Sequence, residues 1–313
     1  MTVNVANDFF KSSDGTSDVG YNVWWGKGYP KAIFQLAHGM AEHIDRYDRF
    51  ARFLANRGYA VFGNNHIGHG NSVISDDDLG HISGKDGYLN MTKDLRLLTQ
   101  IAKERYPDIP LILFGHSMGS FLARNYAELW GNELDGLILC GTSGSNPLAP
   151  LGLAVIKLLS AVKGERYRSK LVDFMAFGSY NEKYPEARTR FDWLSANEEN
   201  VDAYMEDELC GHVFSLSGFY NLMTLLKTVT RKDWASTIRK DLPVLLISGE
   251  DDPVGGFKKG VVETANLLRS AGVKSVSLIF YEGMRHELLN EAENERISED
   301  ILAWSRTACG IVE

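Results

Sequence analysis

The pentapeptide Gly115-His116-Ser117-Met118-Gly119 lies between an apolar, strand-like run beginning at Leu111 and a helix-like stretch from Ser120 to Trp130. A serine on so sharp a strand-to-helix turn is presented as a nucleophile. The residues two before and two after it must be nearly free of side chain, and glycine stands at both positions. The turn also sets the Met118 N–H at a helix N-terminus, where the partial positive charge favours the anion formed when a carbonyl is attacked. Gly-x-Ser-x-Gly alone is a weak signal, and the flanking strand and helix give it its weight.

A serine hydroxyl needs a base titrating near neutrality and a carboxylate to orient that base. On a parallel sheet these partners follow in the order serine, acid, histidine. The apolar run Leu242 to Ser248 ends in Gly249, Glu250, Asp251, Asp252 and Pro253, at the carboxyl end of a strand where such sheets place their chemistry. Asp252 is favoured as the acid because Pro253 forces it into an extended conformation, leaving Asp251 as a turn or capping residue. The base should follow the last strand, Val276 to Tyr281, and His286 stands there.

The second donor of an oxyanion hole comes from the loop after an early strand. Lys31 to Ala37 is such a strand, and Gly39 lets the following backbone approach, so the Met40 N–H is the expected donor beside that of Met118. The other histidines have no place in this order. His66 and His69 are three apart, but their turn-rich surroundings lack a clear third ligand, so hydrogen bonding that shapes a loop is expected and no metal.

The elements that must hold these groups alternate. Strands are expected near 8–12, 19–25, 31–37, 59–63, 111–114, 135–140, 243–248 and 275–281, and helices near 42–57, 86–105, 118–130, 257–271 and 292–307. The alternation predicts a mostly parallel sheet covered on both faces. It stops between Ser145 and Trp234, where the chain looks mainly helical. We therefore expect an α/β core formed by 1–144 and 235–313, with 145–234 as a helical cap over the edge that carries Ser117.

Six segments in order make the chain resemble the α/β-hydrolases, and within them the monoglyceride lipase and lysophospholipase-like group that includes the serine aminopeptidase-like hydrolases. They are Ser13-Asp14-Gly15-Thr16; His38-Gly39 with Glu42-His43; Gly68-His69-Gly70-Asn71-Ser72; Gly115 to Gly119; Asp252-Pro253-Val254; and His286 to Glu291. The resemblance covers nearly the whole chain. It implies an α/β-hydrolase fold with an eight-stranded sheet, Ser117 as nucleophile, Asp252 as acid, His286 as base, and the N–H groups of Met40 and Met118 as the oxyanion hole. Two departures stand out. Asn64-Asn65-His66 replaces an aspartate common ahead of Gly-His-Gly, with an expected change in loop hydrogen bonding, and Met40 replaces a smaller residue, with an expected narrowing of the acyl site.

Composition agrees with a water-soluble enzyme. The 313 residues, 44% hydrophobic, can bury a large core, and the formal charge of −8 with no basic run argues against nucleic acid, which needs cationic clusters. Cys140, Cys210 and Cys309 are odd in number and widely spaced, so no disulfide framework or zinc site is implied. Residues 1–11 lack a basic segment followed by an apolar one, and no apolar run reaches the roughly 20 residues of a membrane span, so a cytoplasmic location is expected.

The expected function is a carboxylic ester hydrolase for monoacylglycerol, lysophospholipid or a related acyl ester, using no cofactor. Apolar residues from Leu151 to Val162 form either a helix packed on its own cap or a lid touching acyl chains or, transiently, a membrane surface. Phe174, Phe177, Phe214, Phe219 and Tyr220 are candidates for pocket lining or cap core. The same triad serves an amidase or an aminopeptidase, and carboxylates at Glu198, Glu199, Asp202, Glu206, Asp207 and Glu208 would suit a free N-terminus. A ligand receptor on the same fold is the non-enzyme alternative. Serine rather than aspartate at the elbow argues against dehalogenase or epoxide hydrolase chemistry.

Overall fold

The computed structural model describes residues 2–311. Its strands are β1 (Asn4–Lys11), β2 (Asp18–Trp25), β3 (Ile33–Ala37), β4 (Ala60–Asn64), β5 (Leu111–His116), β6 (Gly136–Cys140), β7 (Val244–Gly249) and β8 (Val276–Tyr281). The helices are α1 (Asp48–Ala55), α2 (Gly87–Arg105), α3 (Met118–Trp130), α4 (Ala149–Lys163), α5 (Lys170–Phe177), α6 (Glu198–Glu206), α7 (Leu216–Val229), α8 (Lys259–Ser270) and α9 (Asn294–Ala308). One sheet runs in the order β1-β2-β4-β3-β5-β6-β7-β8. The pairs β1–β2 and β2–β4 are antiparallel and all others parallel. This is the α/β-hydrolase fold.

Every residue of β3 to β7 is buried, as a sheet covered on both faces requires of continuous apolar runs. Alternate side chains divide between two cores. Ile33, Phe62, Leu113, Leu137 and Leu246 pack with Leu95 of α2, Leu122 of α3 and Ala265 of α8. Phe34, Val61, Phe114, Ile138 and Ile247 pack with Leu54 of α1 and Ile301 of α9. Each such large aliphatic or aromatic side chain is worth roughly 1.5–3 kcal/mol when fully buried.

The boundaries depart from expectation where tertiary partners decide them. β1 begins at Asn4 rather than Asp8, because eight residues pair with β2 from Asn4↔Trp25 to Lys11↔Asp18. It is an exposed edge strand without a buried face to signal its start. The helix expected over 42–57 is a 3-10 turn, Ile44–Tyr47, followed by α1. There the buried Asn65 carboxamide takes the Ile44 N–H at 2.8 Å. α8 starts at Lys259 because Phe257 and Lys258 adopt left-handed φ values of 54° and 77°.

α4 to α7 all fall between β6 and β7. Their stretch is mainly helical, broken at 164–169 and 207–215 and most widely at 178–197, where the helical content is a 3-10 turn at Asp192–Leu194. Among the described residues no helix is long and apolar enough to cross a membrane.

Candidate active site

Ser117 joins β5 to α3 with φ 52° and ψ −120°, a conformation costing a non-glycine residue on the order of 1–3 kcal/mol. Crowding enforces the turn. A Cβ on Gly115 would lie 2.3 Å from the Gly119 carbonyl oxygen, and one on Gly119 would lie 2.0 Å from that of Ala37. The Ser117 N–H donates to Cys140 O at 2.9 Å, and its carbonyl accepts the Ser120 hydroxyl at 2.6 Å. With the backbone held on both sides, the side chain faces a cavity.

The ends of β7 and β8 bring Asp252 and His286 together, although they are far apart in sequence. Asp252 Oδ2 lies 2.9 Å from His286 Nδ1, and Oδ1 accepts the Val254 N–H at 2.8 Å. Both side chains are buried. Asp251 is exposed, and its contribution here is a carbonyl that accepts the Tyr184 hydroxyl. Burial alone would lower the His286 pKa, but the Asp252 charge and hydrogen bond outweigh it and raise the imidazole above its ordinary value. With Nδ1–H donated to Asp252, Nε2 carries the lone pair. His286 and Ser117 line the same cavity without a direct hydrogen bond, a contact that often tightens only once substrate binds.

Met40 and Met118 line that cavity too. The Gly39 N–H is taken by Glu42 Oε1 at 2.5 Å and the Ala41 N–H by His69 Nε2 at 3.2 Å. The Met40 N–H between them has no partner among the described residues. The Met118 N–H opens α3.

Sequence reasoning missed a buried ionic network behind His286. Arg46 Nη1 contacts Glu42 Oε2 at 2.9 Å and Glu287 Oε1 at 2.7 Å, while Nη2 contacts Glu287 Oε2 at 2.7 Å and Asn200 Oδ1 at 3.1 Å. Tyr47 donates to Glu42 Oε1 at 2.9 Å. Burial pushes Glu42 up; burial opposes ionisation of Glu287 as well, but Arg46 holds that carboxyl well below the ordinary range. The i,i+4 spacing of Glu42 and Arg46 and the adjacency of Glu287 to His286 were visible, but nothing in the sequence joined the two segments. The His116 ring packs at a tilt with its centroid 4.6 Å from that of His286, and burial and then His286 itself lower its pKa well below the ordinary value.

The cavity is about 840 Å³ and is walled by core loops and by α4, α5 and α7. Of the five aromatic candidates, Phe174, Phe177 and Phe219 line it; Phe214 packs in the core against His212, and Tyr220 stands outside the wall. In α4, Ile156 is buried and Leu151 faces the cavity, whereas Leu158 and Val162 are 68% and 71% exposed. None of the carboxylates from Glu198 to Glu208 lines the cavity. Glu198 and Asp202 pair with Arg188, and Asp207 contacts His43 Nε2 at 2.7 Å.

Donor atoms of His43, Asp207 and Cys210 lie within 4.8 Å of one another. Burial raises the Cys210 thiol, and the neighbouring Asp45 and Asp207 carboxylates outweigh burial to raise His43, so the group is better described as an imidazole flanked by two carboxylates. His66 and His69 bond to backbone groups within a histidine cluster. In the altered Asn64-Asn65 segment, Asn65 bonds to Ile44 N–H and to Asn71.

Comparison with known proteins identifies the family. The family model "Serine aminopeptidase, S33" (Hydrolase_4) matches residues 28–293. The monoacylglycerol lipase of Mycolicibacterium smegmatis is 28% identical over 290 residues, covering 91% of each chain. The monoglyceride lipase of Rattus norvegicus is 30% identical over 273 residues, covering 86% of this chain and 79% of the relative. The crystal structure of a thermostable carboxyl esterase from Bacillus coagulans in complex with glycerol superposes with a TM-score of 0.92 at 30% identity, covering 97% of this chain and 99% of the other. Homology to lipases and esterases implies a serine hydrolase, and the chain belongs to the serine aminopeptidase S33 (Hydrolase_4) family of α/β-hydrolases.

Proposed function

We propose that the protein is a serine carboxylic ester hydrolase acting on monoacylglycerol, lysophospholipid or a related acyl ester. The observation that carries this reading is the strained Ser117 on the wall of a largely apolar cavity that it shares with the Asp252-bonded His286. Relatives described as monoacylglycerol and monoglyceride lipases support the substrate class.

In this mechanism His286 Nε2 takes the Ser117 proton as Oγ attacks the ester carbonyl, and Asp252 stabilises the imidazolium. The oxyanion is met by the N–H groups of Met40 and Met118. The tetrahedral intermediate collapses, the C–O bond to the alcohol breaks, and His286 returns the proton to the leaving oxygen. Water then attacks the acyl-enzyme by the same steps and frees the acid. No step calls on a metal or cofactor.

Ester chemistry is favoured over aminopeptidase chemistry by the charges at the cavity. Glu42 and Glu287 both pair with Arg46, Asp173 on the cavity wall pairs with Arg190 at 3.6 Å, and the acidic cluster of the insertion lies elsewhere, so among the described residues no unpaired carboxylate cluster awaits an ammonium group. Residues 145–234 serve in this reading as a cap on the core of 1–144 and 235–313. Leu148, Leu151, Leu171 and Phe174 are each at least 57% exposed and also line or adjoin the cavity, which suits a mouth that meets a lipid surface transiently.

The test is hydrolysis of p-nitrophenyl esters from acetyl to palmitoyl, of monoacylglycerols and of aminoacyl anilides, beside Ser117→Ala. Ester turnover abolished by the substitution supports the proposal, with a loss on the order of a millionfold as the scale for such a residue. Activity that survives Ser117→Ala, or turnover confined to anilides, refutes it.

A further inference from the structure

Behind the loop that carries Met40 lies a cluster of buried imidazoles that the mechanism above does not use. The rings of His38 and His66 are 4.1 Å apart, those of His38 and His69 5.1 Å, and those of His69 and His212 5.7 Å. The ring hydrogen bonds of His38, His66 and His69 run to the backbone. His38 Nδ1–H donates to Gly39 O at 2.8 Å, leaving Nε2 to accept the His66 N–H at 3.0 Å. His69 Nδ1–H donates to Ile67 O at 3.0 Å, leaving Nε2 to accept the Ala41 N–H at 3.2 Å.

These bonds grip two successive peptide planes. A trans peptide directs its C=O and N–H to opposite sides. By holding the Gly39 carbonyl on one side, His38 sends the Met40 N–H of the same plane to the other. His69 holds the next plane through the Ala41 N–H. Ala41 itself is left-handed, with φ 53°, and its carbonyl accepts Tyr204 Oη–H at 2.9 Å and the Gly211 N–H at 3.0 Å. The conformation is held from three directions, and among residues 39–41 the Met40 N–H alone is left without a partner among the described residues.

Resting on the ester hydrolase reading, we infer that His69 is a positioning residue for the oxyanion hole: its neutral Nε2 accepts the Ala41 N–H and, with His38, aims the Met40 N–H at the reacting carbonyl oxygen. The Gly-His-Gly spacing around it follows from packing. Gly68 and Gly70 have φ values of 76° and 49°, and a Cβ would lie 2.6 Å from His81 O at the first and 2.4 Å from the Asn65 side chain at the second. Burial, together with the neighbouring His212, His66 and His43, keeps His69 well below its ordinary pKa, so the acceptor lone pair persists at neutral pH.

The test compares His69→Gln with His69→Asn. Glutamine can place an oxygen near the position of Nε2, whereas the asparagine oxygen stops near that of Nδ1. His69→Asn should lower kcat by about 10- to 100-fold, somewhat less than removal of a donor outright, with KM within about threefold of wild type. His69→Gln should recover most of the loss. A trifluoromethyl ketone reads the hole directly: Ser117 Oγ bonds to its carbonyl carbon, the oxygen becomes the oxyanion and His286 takes the proton. Its affinity should fall in His69→Asn in step with kcat/KM, while that of an unreactive ether analogue of the substrate stays unchanged.

Wild-type kcat and ketone affinity in a folded His69→Asn variant would overturn the inference. So would equal losses in both variants accompanied by matched falls in ether affinity and Tm, the pattern of a merely structural residue. Should Ser117→Ala retain activity, the ester hydrolase reading falls and this inference with it. Should Ser117→Ala be inactive while His69→Asn matches wild type, the inference alone falls.

Discussion

Asp252→Asn tests the proposed acid through the hydrogen bonds that orient it. Asp252 uses Oδ1 to accept the Val254 N–H at 2.8 Å and Oδ2 to meet His286 Nδ1 at 2.9 Å. An asparagine here keeps its carbonyl oxygen on the Val254 N–H, because an NH₂ group would face that donor unfavourably. Its NH₂ must then point at His286 Nδ1, which becomes an acceptor, and the ring proton moves to Nε2. The base loses the lone pair that would take the Ser117 proton. The equivalent wrong-tautomer substitution in a serine protease lowers kcat by about 10⁴-fold, or roughly 5.4 kcal/mol of transition-state stabilisation. Fold and KM should change little, since the substitution is isosteric. Steady-state hydrolysis of a soluble p-nitrophenyl ester, with thermal unfolding as control, measures it beside Asp251→Asn, whose exposed side chain should leave kcat within about twofold. An Asp252→Asn enzyme retaining a tenth of wild-type kcat, or an Asp251→Asn enzyme equally impaired, would refute the assignment.

Three other outcomes follow from the same geometry. Arg46→Met strips the cation from buried Glu42 and Glu287, a loss of about 3–5 kcal/mol that corresponds to a Tm lower by about 5–8 °C for a chain of this size; differential scanning calorimetry near pH 7 checks it, and an unchanged Tm would show the network to be dispensable. Gly119→Ala sets a Cβ 2.0 Å from Ala37 O, so the elbow must open and ester turnover should collapse, whereas wild-type kcat in this variant would contradict the steric account of the turn. His286 must be neutral to act as base and its pKa is raised, so kcat/KM for a non-ionising ester should fall as pH drops through a midpoint above 6.5, and a midpoint below 6.5 would contradict the Asp252 pairing.

Much of the architecture was legible in order and type because it rests on local physics. Buried parallel strands must be continuous apolar runs, and β3 to β7 read as such. The elbow was legible because a turn that brings Gly119 against Ala37 O tolerates no side chain, so the constraint is written in glycine. Asp252 and His286 could be placed at strand ends from chain order alone, and the structure sets their side chains 2.9 Å apart. Boundaries were less legible where a partner chooses them, as at β1, whose exposed residues carry no buried face, and at Ile44, where Asn65 takes the amide that would otherwise extend a helix.

The relations between distant segments had no local signature. Arg46 and Glu287 are 241 residues apart, and only folding makes one cation serve carboxylates from two loops. His69 reads in sequence as a turn histidine; its neighbours in space give its lone pair to the Ala41 N–H. Composition likewise supplied the apolar residues of α4 and α5 without dividing them between cavity wall, core and exposed rim, because a helix faces three environments at once and its packing assigns each side chain to one. Residue type and chain order thus carried the candidate chemistry and the sheet that holds it, since both follow from short-range sterics and burial. The direction of the Met40 N–H, the ionic network behind His286 and the shape of the cavity depend on contacts between segments that chain connectivity leaves far apart.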